Sequence, residues 1–317
     1  MLSIPDAAPV SAIFIRECYI KWFNEYFLPA VQGYPQGKFA LSSTPGCGKT
    51  FSTNFILKMA NTTPLLCNKL ILYQFKASFS LLGPEGVVEI DVLHARLMAL
   101  EPDTFYILDG RDANPLSSEC LTLFISSPRS ASFKDWCYHA MVTPWYFPVW
   151  SLDELRDCRQ LCYPSVDPTT LSNRYEQYGG VARYVFWSKN APPSLEATMA
   201  DPNARQSIRY VSEPSQIFQS SHMLLHLAVS EEMRFSHLVL ASRYVGVLLF
   251  SKFYQETYEK LTSFLGIGGA LAGHLFECYV HFIFENGRDE ALKCRSLEGL
   301  HTFLHVTSLK LQLSHLH

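Results

Sequence analysis

The sequence predicts an α/β fold built on a parallel sheet, and three observations carry that reading. Short apolar runs of strand type alternate with segments of helical spacing between Lys38 and about residue 150. A glycine-rich turn, Thr44 to Gly48, joins the first run (Lys38–Ser42, KFALS) to a helical segment (Lys49–Met59). A later run, Phe105–Leu108, ends on Asp109, which places a carboxylate at the carboxyl edge of a strand, where open α/β sheets bind ligands.

The remaining elements follow in order. Apolar residues at Phe14, Cys18, Trp22 and Phe27 predict a helix over Ile13–Ala30. Strand-type runs follow at Lys69–Phe75, Val87–Asp91 and Leu121–Ile125, with helical spacing from Val92 to Leu100. Alternation of this kind calls for a parallel sheet with crossover helices. Beyond Pro144 the pattern changes to short helices at Asp153–Gln160 and Thr169–Tyr178. Asn190–Asn203, with Pro192, Pro193 and Pro202 among small polar residues, reads as a linker or surface loop. Ser242–Phe264 and Ala270–Phe284 read as helices. This gives an NTPase core over 1–150, a lid or helical region over 151–225 and a helical C-terminal region over 226–317.

Composition limits the classes of function. The 317 residues are 48% hydrophobic and 17% charged, enough for a large core, and the formal charge of −3 gives no bulk attraction for nucleic acid. Nine scattered cysteines fit reduced thiols rather than a disulfide framework. Met1–Ser11 contains no Lys or Arg, so it lacks the charged start of a secretory signal, and no apolar run has membrane-spanning length. These features point to an intracellular chain with no membrane partner.

The sharpest motif is Ser43-Thr44-Pro45-Gly46-Cys47-Gly48-Lys49-Thr50, a P-loop with Ser in place of the first Gly. A strand-to-helix turn leaves several N–H groups pointing into one concavity, and the helix start adds positive dipole. Lys49 would reach the β- and γ-phosphates, and the Thr50 hydroxyl would ligate Mg²⁺. Asp109 would hold the same Mg²⁺ through water. The expected ligand is ATP or GTP with Mg²⁺, since nothing in the sequence reads as a base-specific pocket. Ser126 or Ser127 could sense the γ-phosphate, and Arg129 and Arg183 could neutralise it, Arg183 from the lid. The position after Asp109, where many P-loop ATPases carry Glu, is Gly110, and Asp112 is poorly spaced to replace it. Binding is therefore better provided for than fast hydrolysis, which favours a slow switch. Gly266–Gly269 reads as a turn between helices, and His301, His305, His315 and His317 as a C-terminal tail.

With these residues placed, the chain resembles the Crinkler effectors of oomycetes and some fungi and the related retrotransposon hot spot proteins of trypanosomes. The resemblance covers roughly residues 12 to 290. It rests on Ile15-Arg-Glu17, the P-loop, Tyr106–Gly110, Ile125–Pro128 and Phe147–Ser151 with Glu154-Leu155. It continues with Tyr178–Tyr184 (YGGVARY), Ala241–Tyr244 and Gly273–Glu277. It implies a P-loop NTPase core with a helical lid, often fused to a restriction-endonuclease-like domain, in secreted proteins that enter host cells and often the nucleus. A host protein or DNA would then be a partner. Glu277 would stand on the first helix of the nuclease fold, but the Asp and Glu-x-Lys that such nucleases need do not follow it, so the nuclease region reads as truncated. Two rival readings are a DNA-acting nuclease fusion and a degenerate, non-enzymatic interaction module.

Overall fold

The computed structural model describes residues 13–83, 86–110, 113–186, 194–200, 222–249, 252, 292–295 and 301–304. One seven-stranded sheet organises the first half: β1 (Lys38–Ser43), β2 (Leu70–Phe75), β3 (Ser78–Gly83), β4 (Gly86–Ile90), β5 (Thr104–Asp109), β6 (Leu121–Ile125) and β7 (Trp145–Phe147). Their spatial order is β4-β3-β2-β5-β6-β1-β7. The five strands from β2 to β7 in that order are parallel, whereas β2, β3 and β4 pair antiparallel. The sheet is thus mostly parallel, with an antiparallel extension. Ser78–Gly83 carries too little alternation to stand out in the sequence, and its pairing with β2 is what turns Val87–Ile90 into an edge strand.

Strand alternation sorts side chains onto two faces. Phe39, Leu41, Ile71, Phe105, Ile107, Leu123 and Ile125 face one way. There they meet α3 (Lys49–Thr62) and an N-terminal helix made of α1 (Glu17–Lys21), a π-helical turn (Trp22–Phe27) and α2 (Leu28–Gly33). That helix starts at Glu17 rather than Ile13, and its wide turn buries Trp22, Phe23 and Phe27 completely. Ala40, Leu72, Tyr106, Leu108 and Phe124 face the other way, against α4 (Val92–Leu100) and α5 (Ala131–His139).

The helical region that follows the sheet comprises α6 (Leu152–Cys162), α7 (Pro168–Tyr178) and α8 (Ala182–Val185). Ser151 and Glu154 form a capping box at the start of α6, and Asp167 caps α7. Inside the stretch expected to be a linker lies α9 (Leu195–Ala200), whose Leu195 and Met199, one turn apart, are buried in the core that α6, α7 and α8 share. The 226–317 region, expected to be helical, contains two antiparallel hairpins. They are β8 (Leu225–Val229) with β9 (Phe235–Leu240), and β10 (Leu292–Arg295) with β11 (His301–Leu304). Leu225, Leu227, Leu238 and Leu240 are buried at period two, a strand signal overlooked beside the stronger apolar run from Tyr244. Residues 243–249 are helical, as expected for the start of Ser242–Phe264. Among the described residues, no helix is long and apolar enough to cross a membrane.

Candidate functional site

The phosphate-loop motif occupies the turn between β1 and α3. Gly46 and Gly48 hold φ of +92° and +94°, where glycine carries no steric cost. Lys49 starts α3 and folds back over the loop, its Nζ donating to the Ser43 carbonyl at 3.1 Å and to Ser43 Oγ at 3.3 Å. Thr50 Oγ1 donates to Asp109 Oδ1 at 3.4 Å and Thr53 Oγ1 to Asp109 Oδ2 at 3.0 Å. Tyr73, on β2, lies near the same carboxylate. Burial pushes the Asp109 carboxyl up to about 6, opposed by the Thr53 hydroxyl, the Lys49 charge and the hydroxyls of Thr50 and Tyr73. Burial also brings the Lys49 ammonium down to about 8, opposed by Cys47 and Asp109 and reinforced by Arg183.

The outward side of the loop is gripped by remote elements. The Gly46 carbonyl accepts from the Arg183 backbone N–H at 3.1 Å, and the Cys47 carbonyl from Trp150 Nε1 at 2.9 Å. The Gly48 carbonyl accepts from the Tyr19 hydroxyl at 3.2 Å, and Thr44 Oγ1 from the Leu227 N–H of β8 at 3.2 Å. A planar trans peptide directs N–H and C=O oppositely, so the Cys47 and Gly48 carbonyls held outward leave the Gly48 and Lys49 N–H groups facing the other side, whereas the Cys47 N–H donates to the Thr44 carbonyl at 3.3 Å. Behind the loop, Arg16 is fully buried. Its Nε and Nη2 make a forked pair with Glu154 at 2.9 and 3.0 Å, and it donates to the Pro148 and Val149 carbonyls. Its guanidinium stacks 4.5 Å from the Trp150 ring centroid. Gly180 lets the segment after α7 pack directly on this bracket, because a Cβ there would stand 2.0 Å from the Trp150 carbonyl oxygen.

No family model matches the sequence, and neither does any curated protein. Among solved structures, the chain is similar to a single-substitution RuvB mutant from Thermogota maritima. That match has 14% identity and a TM-score of 0.35, and covers 90% of this chain and 91% of the other. A likeness of that size does not bear on the site.

The structure brings Ser43–Thr50, Asp109 and the Arg183 backbone to one place. Two expected contributors are otherwise engaged. Ser126 Oγ donates to the Gly110 carbonyl at 2.9 Å, and Ser127 Oγ accepts from the Arg129 N–H at 3.3 Å. Arg129 Nη1 lies 3.3 Å from His222 Nδ1, whose other ring nitrogen is 2.8 Å from the Tyr184 hydroxyl. Gly110 holds φ of +139°, and a Cβ there would meet the Lys76 backbone N at 3.4 Å, so the backbone itself disfavours an acidic residue at this position. Asp112, Glu277 and Gly266–Gly269 lie outside the described residues, as do His305, His315 and His317.

Sequence reasoning passed over Tyr19, Tyr73, Thr53 and Leu227, and it gave Arg16, Trp150 and Glu154 no role beyond resemblance. Thr53 was within reach, since it stands one helical turn after Lys49 and follows Thr50 on the same face. His226 was also missed. It is buried beside Gly179, its Nε2 has no hydrogen-bond partner, and burial holds the ring neutral by lowering its pKa to about 3. Among the described residues, no cluster of three His, Cys, Asp or Glu could hold a metal.

Proposed function

We propose that this chain binds a nucleoside triphosphate with Mg²⁺ and works as a slow-hydrolysing switch. The observation that carries the reading is the meeting of Thr50, Thr53 and Asp109 at the start of α3, beside a loop whose carbonyls are turned away. The donor set fits the ligand. Lys49 would hold β- and γ-phosphate oxygens in place of its bonds to Ser43, and α3's first N–H groups would take a phosphate. Thr50 and Asp109 supply hard oxygens suited to Mg²⁺, which would neutralise phosphate charge. Arg183, backbone-anchored to Gly46, would carry nucleotide state to the helical region as its lid, and Ser127, whose Oγ accepts from the Arg129 N–H, would offer its hydroxyl proton toward the γ-phosphate. Gly110 offers no side chain to activate water, hence slow turnover. The Crinkler resemblance extends this proposal to a switch within an effector that acts on a host protein or DNA.

Calorimetric titration with ATP and GTP analogues plus Mg²⁺ tests it, with Lys49→Ala as control. Micromolar binding lost in a folded Lys49→Ala variant is the expected result, and it identifies the base. A folded wild type that binds neither nucleotide would favour the non-enzymatic module.

A further inference from the structure

The two edges of the sheet are treated differently. Beyond β7, the β8–β9 hairpin closes the edge, with Tyr146 N–H donating to the Met233 carbonyl at 2.8 Å and Arg234 Nη1 to the Thr143 carbonyl at 2.6 Å. At the other end, β4 has a strand partner on one side only among the described residues. An open edge is commonly blunted with lysine, proline or a bulge. β4 instead presents Val87 and Val88, 53% and 61% exposed, with Glu89 as its one charge. Beside it, α4 turns its small residues, Ala95 and Ala99, inward and its large ones outward. Leu93, Leu97 and Leu100, at i, i+4 and i+7, are 66%, 59% and 44% exposed.

We infer that this β4–α4 face is where two copies of the chain meet, β4 pairing antiparallel with its counterpart about a two-fold axis through Val88. The backbone edge calls for a strand, and the helix stripe calls for a second apolar surface at a fixed distance from that strand. A second copy supplies both. Val87 pairs with Leu82 and points to the opposite side, but Val88 with Val92, Leu93, Leu97 and Leu100 presents on the order of 500 Å² of free apolar surface on the α4 side, near the upper size of a monomer's largest patch. The exposed polar rim at His94, Arg96 and Glu101 brings the footprint toward the roughly 800 Å² per partner of a specific interface. The face carries Glu89, Asp91 and Glu101 against Arg96, with the Asp91 carboxylate taken by the α4 N-cap and the His94 ring, so apolar contact rather than charge drives the pairing. An axis on Val88 also sets each Glu89 opposite a Val87 rather than opposite the other Glu89. Val88 pairs with Leu81, which packs into the layer holding Ala95 and Ala99, so the axis brings both α4 helices to the same face.

Sedimentation equilibrium of the full chain from about 1 to about 100 μM tests the inference. The expected result is a shift from monomer to dimer mass with micromolar affinity. The double variant Leu93→Glu, Leu97→Glu should stay monomeric at the top of the range, with unchanged nucleotide affinity. As an independent check, Val88→Cys should give a reducible cross-linked dimer on mild oxidation that wild type does not give, because residues facing each other across the axis lie within disulfide reach. Should the double variant fail to fold, this cross-link decides alone. A wild type that stays monomeric throughout, or a dimer that survives the substitutions and resists cross-linking at position 88, overturns the interface.

Discussion

On its inner side the phosphate loop offers Lys49, Thr50 and the Asp109 carboxylate, two of them charges that burial opposes. On its outer side it is bound by Tyr19, Trp150, Arg183 and Leu227, and Arg16 and Glu154 stand behind them. The inner groups cost stability, and under the proposed function they are kept for what they would bind, while the outer ones hold the loop in shape. The contrast teaches that a loop with two φ-positive glycines does not keep its shape by itself. Here the shape is imposed by elements more than 100 residues away in sequence, such as Trp150 on Cys47.

If that division is right, substitutions on the two sides should move stability in opposite directions. The largest effect should come from Arg16→Ala. It leaves the Glu154 carboxylate without its charge partner, held only by the Ser151 N–H, and leaves two carbonyls without their donor, and breaking a buried pair in this way costs about 3 kcal/mol once Glu154's partial exposure is allowed for. Urea unfolding should show the loss, and nucleotide affinity should fall with it. Unchanged stability would mean that the bracket contributes nothing. Asp109→Asn comes next. It should lower affinity measured with Mg²⁺ by about 10- to 100-fold, or about 1.4 to 2.8 kcal/mol, while thermal stability stays level or rises because a buried charge is gone.

The pH dependence sharpens the inner side. Lys49 falls from 10.5 to about 8 on folding, so the unfolded chain binds more protons between those values and the group's contribution to stability rises with pH there. Asp109 rises from 3.8 to about 6, so its contribution to stability is full below 3.8 and is lost as pH climbs to about 6. Between about 6 and 8 both groups are charged in the folded chain, which is the state that a phosphate and Mg²⁺ would use. Titrations across pH should therefore show affinity falling above about 8 and Mg²⁺ enhancement fading below about 6, each by up to tenfold per pH unit. Enhancement that persists at pH 5 would remove Asp109 from the Mg²⁺ role.

The two sides were also unequally legible in the sequence. Ser43–Thr50 needs particular residue types at fixed spacing over eight positions, and Asp109 needs a strand end, so both could be read locally. The outer bracket could not be read, because nothing in the spacing of Arg16, Glu154 and Trp150 says that they touch. They surfaced only as separate pieces of a resemblance, and the fold joins those pieces behind one loop. Gly110 was read as a missing acid, whereas its φ of +139° shows the backbone reason for its identity. β3 went unseen because a short strand carries little periodicity of its own, and the β8–β9 hairpin because its period-two leucines stand beside the stronger apolar run from Tyr244.

Trp150→Phe is the smallest of these effects and the finest test of the division. It deletes the indole N–H that the Cys47 carbonyl accepts and keeps most of the ring that packs on Arg16. The Arg16–Glu154 pair should survive, so the loss should be that of one hydrogen bond to a buried carbonyl, about 1 kcal/mol, against the larger loss in Arg16→Ala. If the bond mainly orients the loop, nucleotide affinity should drop about fivefold, while the pH at which Mg²⁺ enhancement fades stays where it was, because Asp109 is untouched. A drop in stability with no change in affinity would show the outer side to be scaffold alone. A change in affinity that also moves the Mg²⁺ profile would show that the two sides of the loop are not separable.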